Sequence, residues 1–128
     1  MAEIKRIMVE GQLEPVSHYC HVVRAANHIW VSGAVGVRRD GSVPDDVVEQ
    51  FQVAIDNVDA ALTAAGGAAR HVVKVVVYLT DVGDRQKINP IRQTYFGEHR
   101  PASTLVEVSA LVMPELKVEI EAEAFVAD

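Results

Sequence analysis

From Leu116 to Val126 the chain alternates with a period of two. Leu116, Val118, Ile120, Ala122, Ala124 and Val126 fall on one side, and Glu115, Lys117, Glu119, Glu121 and Glu123 on the other. That period sends successive side chains to opposite faces of a strand. A strand of this kind has one face that must be covered and one that tolerates water, so the chain is constrained to a sheet covered on one side. The glutamate row reads as a solvated face. Carboxylates buried together repel, so at most one of Glu119, Glu121 and Glu123 is free to be desolvated and functional.

What can cover the apolar side is written upstream. Val47, Val48, Phe51, Ile55, Val58, Leu62 and Ala65 recur with helical spacing over about five turns. Ser42, Pro44, Asp45 and Asp46 supply start signals, and Gly66-Gly67 supplies a stop. A second, shorter helix is predicted at 89–97, with Asn89 as N-cap, Pro90 at the first helical position, Gly97 after the end, and Ile91 and Tyr95 facing the core. Strands are predicted at 3–9, 19–25 and 28–34, with Ala26-Asn27 as a hairpin turn in which Asn tolerates positive φ. The β-branched run 71–80 reads as a central strand buried on both faces, and 102–112 as a further strand. The order is β-β-β-α-β-α-β-β. Two helices cover one face of a mixed sheet, which is the α+β class, in one domain over 1–128. A half-apolar face left uncovered by helices points to self-association.

Composition narrows the function. The formal net charge of −6, with no basic run, opposes a nucleic-acid partner, because phosphate binding needs clustered Lys and Arg. No segment approaches the ~20 apolar residues of a membrane span. The N-terminus is charged from Glu3 onward and shows no apolar signal region, so a cytoplasmic location is expected.

Three stretches could carry chemistry. "SHYCH", 17–21, holds two imidazoles and a thiol, but on a strand His18 and Cys20 would point away from Tyr19 and His21. A metal needs three or four converging ligands, and no second cluster is present, so no metal site is expected. The phenol of Tyr19 is better placed to meet a substrate. "GAVGVR", 33–38, lacks the spacing of a phosphate loop; Gly33 after Ser32 instead permits close approach of backbone to another group. "RPASTLVEV", 100–108, sets the hydroxyls of Ser103 and Thr104 at the mouth of an apolar run. Ser103 as a nucleophile would need a general base in reach, and no motif marks one.

"PASTLVEVSALVMPELKVEIEAEA", 101–124, resembles the C-terminal signature of the YjgF/RidA family, the reactive intermediate deaminases. "VSGAVGV", "FQVAIDNVDAALTAAGG" and "VVKVVVYLTDVGDRQKINPIRQTYF" are similar to the family's Ser-Gly strand, long helix, and central strand with second helix. The match runs from about residue 15 to 126. The resemblance implies a chorismate-mutase-like fold and a cytoplasmic homotrimer with clefts between subunits. It implies hydrolysis of small enamines or imines without a cofactor or metal. It implies a site holding Tyr19, Ser32, Gly33 and Asn89, with Glu119 near a water. The family's carboxylate-gripping arginine falls at Ser103, and its frequent thiol at Leu105. Ser103 and Glu119 are thus the candidate catalytic residues, and Thr104 and Leu105 join the substrate-binding set. A neutral hydroxyl in place of a guanidinium points to a substrate without a carboxylate, unless Arg24 or Arg100 reaches the site. The alternatives are a non-catalytic, ligand-binding trimer and, against the charge balance, an RNA-cleaving translation inhibitor.

Overall fold

A computed structural model describes residues 3–127. The chain runs through β1 (Ile4–Ile7), β2 (Val22–Ala25), β3 (His28–Val35), α1 (Val47–Ala64), β4 (Val72–Leu79), α2 (Arg85–Phe96), β5 (Ala102–Glu107) and β6 (Val118–Phe125), with single 3₁₀ turns at Ala69–His71 and Val82–Asp84. The strands form one sheet in the order β1-β2-β3-β6-β4-β5. Only the β4–β5 pair is parallel, and α2 lies in that crossover. The predicted element order and mixed α+β architecture are those observed.

The alternating run places β6 in the middle. Val118, Ile120, Ala122 and Ala124 are buried against α1, and Val75, Val77 and Leu79 of β4 belong to the same core. From α1 the stripe Val47, Phe51, Ile55, Val58 and Leu62 meets them. Asp46 caps this helix, its side chain accepting from the Glu49 N–H at 3.3 Å, and Gly66 follows the end at φ +84°. Helix and sheet also meet through a polar contact. The fully buried Gln50 donates from Nε2 to the carbonyls of Pro44 (2.8 Å) and Glu115 (2.9 Å), and its Oε1 accepts from the Lys117 N–H (2.8 Å). Gly36 makes room there, since a Cβ at that position would lie 2.7 Å from the Gln50 backbone.

Several expectations are corrected. Strand β4 is covered on one face only; on the other, Val73 is 51% exposed and Lys74, Val76 and Tyr78 are half-buried. Strand β2 begins at Val22, not at 19, because His21 turns off to hold the N-terminal segment. The hairpin's positive φ falls on Ala26 (51°), not on Asn27. Strand β5 stops at Glu107, opposite Leu79, where its only partner strand ends. Helix α2 starts at Arg85, four residues early. Asp81 accepts from the Gly83 N–H at 2.9 Å, and the turn this builds runs straight into the helix. Asn89 is therefore inside α2 and caps nothing, and Pro90 leaves the Gln86 carbonyl without its helical partner. The buried residues of α2 are Ile88 and Phe96; Ile91 and Tyr95 pack at the core's margin.

Candidate active site

Ser32 and Gly33 sit at a β-bulge in β3. The register passes from Val31↔Ala122 to Ala34↔Ile120, so three steps on β3 face two on β6. The Ser32 hydroxyl donates to the Cys20 carbonyl at 2.7 Å, and its N–H donates to the His21 carbonyl at 3.0 Å. Gly33 is thereby brought against the Glu119 side chain. A Cβ at residue 33 would lie 1.9 Å from Glu119 Oε2, so any larger residue there would displace the carboxylate from its place.

Glu119 differs from its neighbour two residues on. The Tyr78 hydroxyl donates to the Glu121 carboxylate, and that bond, with burial second, pushes the phenol up to about 12. Among the described residues no donor holds Glu119. Burial first, and the Glu121 charge second, raise its carboxyl above the ordinary 4.5. In the glutamate row, Glu119 and Glu121 are both half-buried, but the Tyr78 hydroxyl donates to Glu121 and Glu119 has no such donor among the described residues.

Glu119 opens into a cavity of about 500 Å³ whose walls include Tyr19, Ser32, Gly33, Asn57 and Arg39. Asn57 donates to the Val35 carbonyl at 3.1 Å, and the Asn57 carbonyl accepts from Gln12 Nε2 at 2.8 Å. His21 Nδ1 accepts from the Val9 N–H at 2.8 Å while Nε2 donates to the Leu13 carbonyl at 2.9 Å. These bonds fasten residues 9–13 over one side of the cavity. They also explain the second imidazole of "SHYCH": His21 serves the backbone.

The other predicted residues lie elsewhere. Asn89 and Leu105 line a second cavity, of about 430 Å³, with Val82, Arg85 and Gln86; it shares no lining residue with the first. Ser103 stands two residues before Leu105 on the same face of β5. Thr104 points to the opposite face, where it accepts from Lys74 Nζ at 2.9 Å, and it joins neither cavity. In the sheet order, β3 and β5 are three strands apart, roughly 14 Å at ordinary strand spacing. Ser103, like Thr104, lines neither cavity, so the predicted residues fall into separate groups: Tyr19, Ser32, Gly33 and Glu119 at the first cavity, Asn89 and Leu105 at the second.

The cation expected near Ser103 is neither of those named from sequence. Arg24 is committed to the Ala26 carbonyl (3.0 Å) and the Ala65 carbonyl (2.7 Å), and Arg100 is exposed in the loop before β5. Arg92 of α2 takes the place, with Nη2 donating to Ser103 Oγ at 2.8 Å. The sequence held a signal for it, because Arg92 follows Asn89 by three residues, one helical turn.

Comparison with known proteins bears on the family and the fold. Residues 9–126 match the family model described as endoribonuclease L-PSP. A RutC family protein of Pyrococcus horikoshii is 36% identical over 121 residues, covering 93% of this chain and 95% of that one. The 2-iminobutanoate/2-iminopropanoate deaminase of Escherichia coli K12 is 36% identical over 124 residues, covering 94% and 96%. The crystal structure of Escherichia coli TdcF with bound serine superposes with a TM-score of 0.90 at 30% identity, covering 96% and 98%. With sheet order, helix placement and sequence all in accord, the chain belongs to the endoribonuclease L-PSP family, also called YjgF/RidA, and has its chorismate-mutase-like fold.

Proposed function

We propose that the protein hydrolyses small imines or enamines, releasing ammonia, at clefts built between adjacent copies of a homotrimer. The observation that carries this reading is Glu119: one partly buried carboxylate, free of protein donors among the described residues, pressed against Gly33 at the wall of an open cavity. The name of the 36%-identical Escherichia coli relative supports the reaction class.

The chemistry follows from the carboxylate. Glu119 accepts a proton from water as the oxygen attacks the carbon of C=N. Glu119 returns that proton to the imine nitrogen, giving the neutral carbinolamine; the hydroxyl proton is then carried to the nitrogen, C=O forms and the C–N bond breaks with ammonia leaving, so imine and water become carbonyl compound and ammonia. A base raised above the ordinary carboxylate range is better matched to this transfer near neutral pH. Tyr19 and the Ser32-Gly33 bulge shape the pocket around the reacting carbon.

Assembly is the second half of the proposal. The residues on β3 and β6 lie three and two strands from β5 and do not close with it on one small substrate within a chain, whereas a second copy brings the two groups face to face. The helix-free side of the sheet supports this, since Trp30 (41%), Phe125 (39%) and Val106 (40%) are exposed there. His28 stacks on Trp30 at 5.6 Å and meets Phe125 edge-on at 4.9 Å.

Ammonia release should be followed on imines generated in situ by an amino-acid oxidase, with wild type and Glu119→Gln. The expected result is release by wild type and a loss of about 100-fold or more in the variant, a general-base effect. Equal rates would remove Glu119 from the mechanism. No release by a wild type that still binds the carbonyl product would favour the ligand-binding reading.

A further inference from the structure

Tyr78 and Glu119 are direct partners across the sheet, in the antiparallel pairing of β4 with β6, and Val76 is the partner of Glu121. All four are half-buried on the helix-free face. A side chain on a sheet ordinarily meets the residue opposite it, and an aromatic one also reaches the diagonal neighbour. Tyr78 takes the diagonal: its hydroxyl donates to Glu121 and not to Glu119.

That choice sorts the two carboxylates. A phenol has one proton to donate, so what Tyr78 gives to Glu121 is withheld from Glu119. The phenol is pushed up to about 12, by that bond first and burial second, so it remains a donor wherever carboxylates titrate. Glu119 is left pressed against Gly33 at the wall of the first cavity, with no donor among the described residues. Other charged or titratable groups surround it. Lys74 of β4 is committed to Thr104 at 2.9 Å, and Glu123 of β6 is exposed. Glu14, Tyr19, His21 and Arg39 stand around the cavity. The charge that acts on the Glu119 carboxyl, second to burial, is that of Glu121.

We propose that Tyr78 is a positioning residue: by holding Glu121 it fixes Glu119 as the one carboxylate of the pair that takes the proton from the attacking water. This rests on the imine-hydrolysis reading and adds to it the residue that governs its base. Tyr78 acts through Glu121 and touches neither substrate nor the reacting atoms.

The test is a double-mutant cycle of Tyr78→Phe and Glu121→Gln, read in the pH profile of kcat/KM for ammonia release from 2-iminopropanoate generated in situ from alanine. Glu121→Gln removes the like charge, so the acid limb should move to lower pH. Tyr78→Phe keeps the ring and loses only the donor. A protein that has bound one proton then carries it on either carboxylate, and some molecules keep Glu119 ionised, so the limb should broaden and extend to lower pH. In the Glu121→Gln background, Tyr78→Phe should change the limb no further. A limb unmoved by Tyr78→Phe, or moved equally in both backgrounds, would overturn the assignment, because a merely structural tyrosine acts with or without a carboxylate at 121. NMR titration of the Glu119 side-chain carboxyl reads the same effect without turnover: one step in wild type, two in Tyr78→Phe. That NMR result in a wild type inert toward the imine would sink the deaminase reading and leave the role of Tyr78 standing. Turnover that depends on Glu119, with one unchanged step in Tyr78→Phe, would do the reverse.

Discussion

At the scale of single residues the site depends on how one carboxylate is kept unlike its neighbours. Glu121 is satisfied by Tyr78, while Glu119 is left with burial and a like charge. This has a consequence for stability as well as rate. The folded chain holds the Glu119 proton above pH 4.5, where the unfolded chain has released it. The folded state then binds more protons than the unfolded, so stability falls as pH rises through the window between 4.5 and the raised value. Urea denaturation of wild type and Glu119→Gln across that window, at one protomer concentration, should show a negative slope with pH that the variant lacks. A difference between the two proteins that does not change with pH would contradict the desolvation of Glu119. From sequence, the row of glutamates could be read but not ranked. Ranking them needed the bulge at Ser32-Gly33 and the Tyr78 hydroxyl, both brought there by pairing across the sheet.

Among the elements, the joint between α1 and the start of β6 is the most exacting. Gln50 closes three bonds to backbone that has no other partner in the core: two carbonyls and the Lys117 N–H. Gln50→Leu keeps the volume and leaves all three unpaired, a cost of about 3 kcal/mol or more at roughly 1 kcal/mol each. Chemical denaturation should show that loss, and the same substitution at the exposed Gln52 should cost far less. Element order, the caps of α1 and the burial side of β6 were legible because hydrophobic period and turn chemistry are local. The start of α2 was misread for an equally local reason. Asn89-Pro90 has the form of a helix start, but Asp81 and Asp84 open the turn earlier, and the helix carries the proline inside. That shift matters to function, since an Asn89 engaged in capping would not line a cavity. Arg92 is not legible beside Ser103 in the sequence because the contact joins a helix to a strand eleven residues on and exists only once α2 packs beside β5.

For the whole molecule, the account turns on two groups of site residues in one chain that do not meet. The sequence lists the residues of a site but not the copies that contribute them. The proposed sharing of clefts between copies is argued from distance within one chain, where two strands lie between β3 and β5. The exposed Trp30, Phe125 and Val106 give the association a surface to bury. The decisive measurement is activity in mixed assemblies of Glu119→Gln and Asn89→Ala protomers, co-expressed and assayed at low 2-iminopropanoate. Each variant alone should be nearly inactive. In random trimers about a quarter of the clefts would pair an intact Glu119 with an intact Asn89 from the adjacent copy, so about a quarter of wild-type activity should return. Mixtures no more active than the separate variants, with trimers shown to have exchanged protomers, would contradict a cleft shared between copies.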